Sequence, residues 1–137
     1  MAMGYPTPLA NIQLDCITTS IGNAALLRIY DGSRPATGGA ATVKLAEFTM
    51  GTPFAPSLLS TGTRVLLPTL PAATTAAASG TASWARLVKA NGTSTDFFID
   101  FSVTGTGSGG DITLNATIIG TGAAVTVTAA SISAGNP

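Results

Sequence analysis

The tightest constraint on the fold is the run Thr81-Ala-Ser-Trp-Ala-Arg-Leu-Val-Lys-Ala-Asn-Gly-Thr-Ser-Thr-Asp-Phe-Phe-Ile-Asp-Phe-Ser-Val-Thr104, in which two extended segments flank Asn91-Gly92. Asn-Gly suits a type I′ turn, whose central residues both need positive φ and whose twist matches that of the strands it joins. Beyond it, Phe97, Ile99, Phe101 and Val103 point one way and Asp96, Asp100 and Ser102 the other, the period of a strand with one buried face. The spacing predicts a β-hairpin. Phe98 breaks the alternation and falls on the polar side between two carboxylates. Exposed there, it is a candidate contact with another subunit, although single apolar residues are common on protein surfaces. The only Trp, Trp84, lies in the first alternating segment and is expected in the core.

A chain of 137 residues is long enough for one domain with a real core. Charged residues make up 9%, far below the roughly 25% usual for soluble domains, and the net charge is zero. A monomer so poor in charge tends to associate, which favours a surface covered by neighbouring subunits over one of bare Thr, Ser, Gly and Ala. The cations Arg28, Arg34, Lys44, Arg64, Arg86 and Lys89 are scattered, so no basic stripe exists for nucleic acid. No run approaches the roughly 20 apolar residues of a membrane span, and Met-Ala-Met-Gly-Tyr-Pro does not read as a secretory signal. A reducing cytoplasm at synthesis is the default expectation.

Taken in order, residues 1–8 read as an N-terminal arm and residues 9–137 as a single β-rich domain. Thr7-Pro8 suits the N-cap and first position of a helix. Leu9, Ile12 and Cys16 recur at helical spacing, as do Leu14, Ile17 and Ile21, and Gly22-Asn23 stops the turn, predicting a helix over about residues 9–21. Strands are expected over 26–30 and 43–50, with a shorter one near 64–67. Pro68 and Pro71 exclude a central strand over 68–80, leaving a linker or an extended edge segment that lies on a neighbour. Later, Ile112, Leu114, Val125 and Val127 point inward, and Ile132 leaves that register through a bulge near Ala129-Ala130. Short strands between Gly-rich turns give a mainly β fold, an antiparallel β-sandwich or barrel with one short N-terminal helix.

The residues nominate no catalytic, metal or cofactor site. The chain has no His, the commonest general base and metal ligand. Cys16 is the only Cys, so no intrachain disulfide forms, and on an apolar helical stripe it reads as a small buried hydrophobe. Asp96 and Asp100 sit four residues apart on an extended strand, about 13 Å between α-carbons, too far for an acid pair, so they read as a solvated strand face. Gly105-Thr-Gly-Ser-Gly-Gly-Asp111 precedes a β-like segment and not a helix, which removes the phosphate-loop reading, and one copy does not make a calcium repeat. Asn91-Gly-Thr93 and Asn115-Ala-Thr117 match glycosylation sequons but are better explained by turn and strand chemistry.

Three stretches carry a family resemblance. Leu26-Leu-Arg-Ile-Tyr-Asp-Gly-Ser-Arg-Pro-Ala-Thr-Gly-Gly39 runs on to Val43-Lys-Leu-Ala-Glu-Phe48; Gly80-Thr-Ala-Ser-Trp-Ala-Arg86 follows a Thr/Ala-rich segment; Gly105-Thr-Gly-Ser-Gly-Gly-Asp-Ile-Thr-Leu-Asn115 leads to Val125-Thr-Val-Thr128 and Ser-Ile-Ser-Ala-Gly-Asn136. In this order, from about Leu9 to the end, the chain resembles a group of small proteins encoded among the structural genes of tailed bacteriophages and prophages. Residues 53–70 fit that pattern least. The resemblance implies a virion structural protein with no catalytic residues. Combined with the low charge, it leads to the expectation of a capsid decoration (cement or minor capsid) protein, a dimer or trimer on the major capsid protein. Phe98, Arg34 and Arg64 are its candidate subunit contacts, and the arm 1–8 or the segment 68–80 would extend onto a neighbour. The alternatives are a tail, head–tail connector or fibre-associated protein, and a carbohydrate-binding host-attachment sandwich using Trp84 and Tyr30 as a platform.

Overall fold

The computed structural model describes residues 4–36, 38–62, 64–93 and 97–133. Among them, one helix, α1 (Thr7–Ile21), precedes eleven strands: β1 (Leu26–Asp31), β2 (Lys44–Thr49), β3 (Val65–Leu66), β4 (Thr74–Thr75), β5 (Gly80–Val88), β6 (Phe98–Gly105), β7 (Ile112–Leu114), β8 (Ile118–Ile119), β9 (Ala124–Val125), β10 (Val127–Ala130) and β11 (Ile132–Ser133).

The chain is mainly β. The expected hairpin forms, with Val88 opposite Phe98 and Trp84 opposite Ser102. Its connection differs from a two-residue turn: it spans residues 89–97, and Gly92 N–H donates to the Lys89 carbonyl at 2.9 Å. Gly92 has φ +77° while Asn91 stays out of the left-handed region, so Asn91-Gly92 closes an ordinary turn at its third and fourth positions. The reason lies downstream, where the chain must reach Phe98 before pairing resumes.

The sheet runs β10-β7-β6-β5-β1-β2, with β8 also pairing β5. At the β2 edge, Ala77 N–H donates to Leu45 O at 2.8 Å, just past β4, which pairs with β9. Only Thr126 separates β9 from β10. Neighbour relations therefore run in a circle, and the sheet curls around one core as a barrel does. This corrects the reading of residues 68–80: the segment is built into its own chain's ring.

One pair is parallel, so the expected antiparallel sheet is mixed. Val103 lies opposite Ile112 and Gly105 opposite Leu114. Parallel neighbours ordinarily need a crossover of a dozen or more residues. Here residues 106–111 suffice, because Gly107 and Gly109 take φ of +85° and +77°. Gly110 also approaches Thr104 so closely that its N–H donates to Oγ1 at 3.0 Å, where a Cβ would meet that oxygen at 2.6 Å.

The inward side chains agree with the alternation: Leu27, Ile29, Leu87, Phe101, Val103, Ile112, Leu114, Val125 and Val127 are buried in one cluster, with Phe97 and Ile99 against it. The register shift on β10 falls between Val127 and Ala129, earlier than expected, and Ile132 departs because it belongs to β11, which pairs with β3.

Leu14, Ile17 and Ile21 bring α1 onto the same core, beside Phe54, Ala55, Leu58 and Leu66. The buried Asn11 donates to Leu58 O (3.0 Å) and accepts Arg64 N–H (3.0 Å), while Asp15, one turn on, accepts Leu58 N–H and the Ser57 hydroxyl. These bonds set the helix rotation. With Asn11 and Asp15 facing 57–64, Cys16 lies about 100° further round and is exposed, which overturns its assignment as a buried hydrophobe. Leu9 and Ile12 share that outer face.

The helix also starts earlier than the spacing predicts. Pro6 occupies the N-cap, and the Thr7 hydroxyl accepts Arg64 Nε–H at 2.9 Å and caps nothing. Arg64 Nη2 donates to Tyr5 O at 2.7 Å. Tyr5 to Thr7 are thus pinned to their own chain, and the arm is shorter than residues 1–8.

Candidate functional site

Alternation gives the sheet a second face, turned away from the main core. Across β2, β1, β5 and β6 it carries four charged residues in one row, Glu47 opposite Arg28, Arg28 opposite Arg86 and Arg86 opposite Asp100. Two guanidinium groups side by side would repel. Each is instead neutralised by the carboxylate on its outer side: Arg28 Nε to Glu47 Oε2 at 2.7 Å, and Arg86 to Asp100 through Nε–Oδ1 at 2.7 Å and Nη2–Oδ2 at 2.9 Å. The hydrogen bond to Arg28 holds the Glu47 carboxyl below its ordinary range against a smaller opposing effect of burial, and Lys44 at 3.2 Å helps. Likewise the bond to Asp100 raises the Arg86 guanidinium further above its usual value despite burial.

Asp100 is therefore no solvated carboxylate: its side chain is only 10% exposed. Its sequence companion Asp96 lies outside the described residues. Arg86 sits between two rings, 5.2 Å from the centroids of both Trp84 and Phe98. Trp84 stacks on Tyr30, centroids 4.5 Å apart and planes 16° from parallel.

Over this face folds the loop after β1. Gly39 O accepts Arg86 Nη1–H (3.0 Å), the Thr42 hydroxyl oxygen accepts Trp84 Nε1–H (3.0 Å), and Gly38 approaches the Phe98 ring. Thr42 is itself anchored, its hydroxyl donating to Asp31 O, while Asp31 Oδ1 accepts Val43 N–H at 3.1 Å. Trp84 and Tyr30 are 1% and 5% exposed, so their faces are spent on each other and on the loop, and these two rings offer a sugar no open platform.

Beside the loop remains an open groove of about 400 Å³ lined by Arg34, Pro35, Ala36, Phe98, Ile99 and Asp100. It brings together two of the three residues nominated from sequence. Arg34 is exposed, whereas Phe98 is half-buried, one side of its ring turned to Arg86. The third, Arg64, is half-buried at the start of α1, bonded to Thr7 and Tyr5. With Asp100 neutralised by Arg86, the groove presents Arg34 as a positive charge next to a fixed aromatic edge. Such a site suits a carboxylate flanked by apolar surface.

Sequence reasoning missed the charged row. Its signal was four charges placed singly in β-like segments, but pairing them requires the strand order. Among the described residues, no three of Cys, Asp and Glu gather as a metal site would require, and no helix is long and apolar enough to cross a membrane. No protein-family model, curated protein or solved structure matches the chain.

Proposed function

We propose that this chain is a virion structural protein of a tailed phage or prophage, a capsid decoration (cement or minor capsid) protein that holds to the major capsid protein by non-covalent contacts. It would be made in the host bacterial cytoplasm and end in the virion. The observation that carries the reading beyond the sequence resemblance is the Arg34–Phe98 groove. Among the described residues, the Arg34 guanidinium and an aromatic edge stand beside a row of four charged side chains that are already paired. That arrangement is built to be met by a surface and leaves little for chemistry to use. The rigid sheet beneath it lowers the entropy cost of docking.

The test is the copy number of the chain in purified particles, measured by quantitative mass spectrometry against the major capsid protein. A simple fraction of the capsid protein's copy number supports decoration. A handful of copies per particle moves the protein to the tail or connector, and absence ends the virion reading. Arg34→Glu should then lower occupancy on shells at least about tenfold, the loss expected when one charged contact becomes repulsive.

A further inference from the structure

The connection between β5 and β6 holds a dipeptide that its own backbone can modify. Glycine is required at position 92 for two reasons: its φ is +77°, and a Cβ there would meet Arg28 Nη2 at 2.8 Å. Arg28 Nη1 also donates to Gly92 O at 2.9 Å, so the guanidinium fixes this peptide in place. A glycine amide is the least hindered nucleophile a backbone offers, because no side chain shields its nitrogen. The residue before it is Asn91, which is exposed, and its carboxamide carbon is the electrophile that this nitrogen can reach by closing a succinimide ring.

The side chain is also held for that reaction. Asn91 Oδ1 accepts Thr93 N–H at 3.1 Å and the Thr93 hydroxyl at 3.2 Å, which bends the carboxamide over the Gly92 peptide. The same two donors draw charge off the carboxamide carbon and face the oxygen that turns negative when a nitrogen attacks. No other asparagine among the described residues combines these features. Asn11 is buried, with both ends of its amide bonded, to Leu58 O and Arg64 N–H. Asn115 Oδ1 is drawn away to Thr126 N–H at 3.0 Å, and Ala116 follows it. Asn23 is followed by Ala24, whose Cβ shields the amide.

We infer that Asn91 is a site of self-modification by deamidation. Hydroxide takes the Gly92 amide proton once that N–H leaves Lys89 O, its partner at 2.9 Å. The nitrogen attacks Asn91 Cγ; the N–Cγ bond forms, the Cγ–Nδ2 bond breaks, and ammonia leaves with a proton from water. Water then opens the succinimide at either carbonyl, giving aspartate or isoaspartate at position 91. A chain of zero net charge thereby gains a negative charge beside the peptide that Arg28 holds. This chemistry stands apart from where the protein resides.

The experiment is incubation of the purified, folded full chain at mildly alkaline pH, with mass spectrometry of chymotryptic peptides over time. No Lys or Arg follows Lys89, so a tryptic peptide carries Asn91 and Asn115 together, whereas cleavage after Phe97 separates them. Asn91 should convert at least about tenfold faster than Asn115 or Asn23, into paired aspartyl and isoaspartyl products. Thr93→Val keeps the backbone donor but loses the hydroxyl, and should slow the conversion at least about threefold with an unchanged melting temperature. Asn91 persisting as long as Asn115, or a Thr93→Val protein that converts at the wild-type rate or faster, overturns the assignment. Should Thr93→Val melt lower than the wild type, Thr93→Ala gives the same decision. Particle copy number is read separately, so the two proposals fail independently.

Discussion

Arg86 and Asp100 face each other across β5 and β6 in a two-bond ion pair, with the Arg86 side chain 6% and the Asp100 side chain 10% exposed. The pair sits under Phe98 and the loop carbonyl of Gly39, which leave both charges little contact with water.

Replacing Asp100 with Asn keeps the shape and removes the charge, leaving a buried guanidinium without its counter-ion. The expected loss is about 3–5 kcal/mol of stability, read from urea denaturation. A double variant, Arg86→Met with Asp100→Leu, should be more stable than Asp100→Asn, because it leaves no charge stranded. If Asp100→Asn costs less than about 1 kcal/mol, the pair contributes only what an exposed one does.

Asn11 holds a loop from inside a helix. Asn11→Leu keeps similar volume but removes the bonds to the Leu58 carbonyl, which keeps the Thr61 N–H and hydroxyl, and to the Arg64 amide, and the two lost bonds should cost about 1–3 kcal/mol in thermal or urea melts. Trypsin offers a local readout, since the bond after Arg64 lies in the segment that Asn11 secures. Cleavage there should be slow in the wild type and fast in the variant at equal temperature. Equal cleavage would show that the segment is held without Asn11.

The Glu47 carboxyl has its pKa lowered by Arg28 and Lys44 relative to the ordinary 4.5. A lowered carboxyl contributes stability above its unfolded value and loses it as pH falls through the folded one. Glu47→Gln should therefore melt below the wild type at about pH 6, and the gap should close as pH falls below the ordinary 4.5 and through the lowered folded value. Carboxylates common to both proteins cancel in that difference. A gap independent of pH would mean that the ion pairs around Glu47 add nothing.

Much of the fold was legible in the alternation. Phe101, Val103, Ile112, Leu114, Val125 and Val127 were placed inward from period alone, because a strand with one buried face must segregate its side chains locally. The mainly β class and the single leading helix followed from the same local rules. Of the site, only Arg34 and Phe98 were named, and nothing local said that they share a groove.

What tertiary structure decided is everything that depends on which segments meet. Alternation does not say that β6 pairs in parallel with β7, that residues 74–77 close the ring, or that Arg86 stands between Asp100 and Arg28. Those are contacts between segments far apart in sequence, chosen by the total burial of one shared core. Helix α1 shows the division most plainly. Its sequence holds two apolar seams of similar quality, and periodicity cannot rank them. The choice was made by Asn11 and Asp15, whose hydrogen bonds to residues 57–64 rotate Leu14 and Ile21 into the core and leave Cys16 outside.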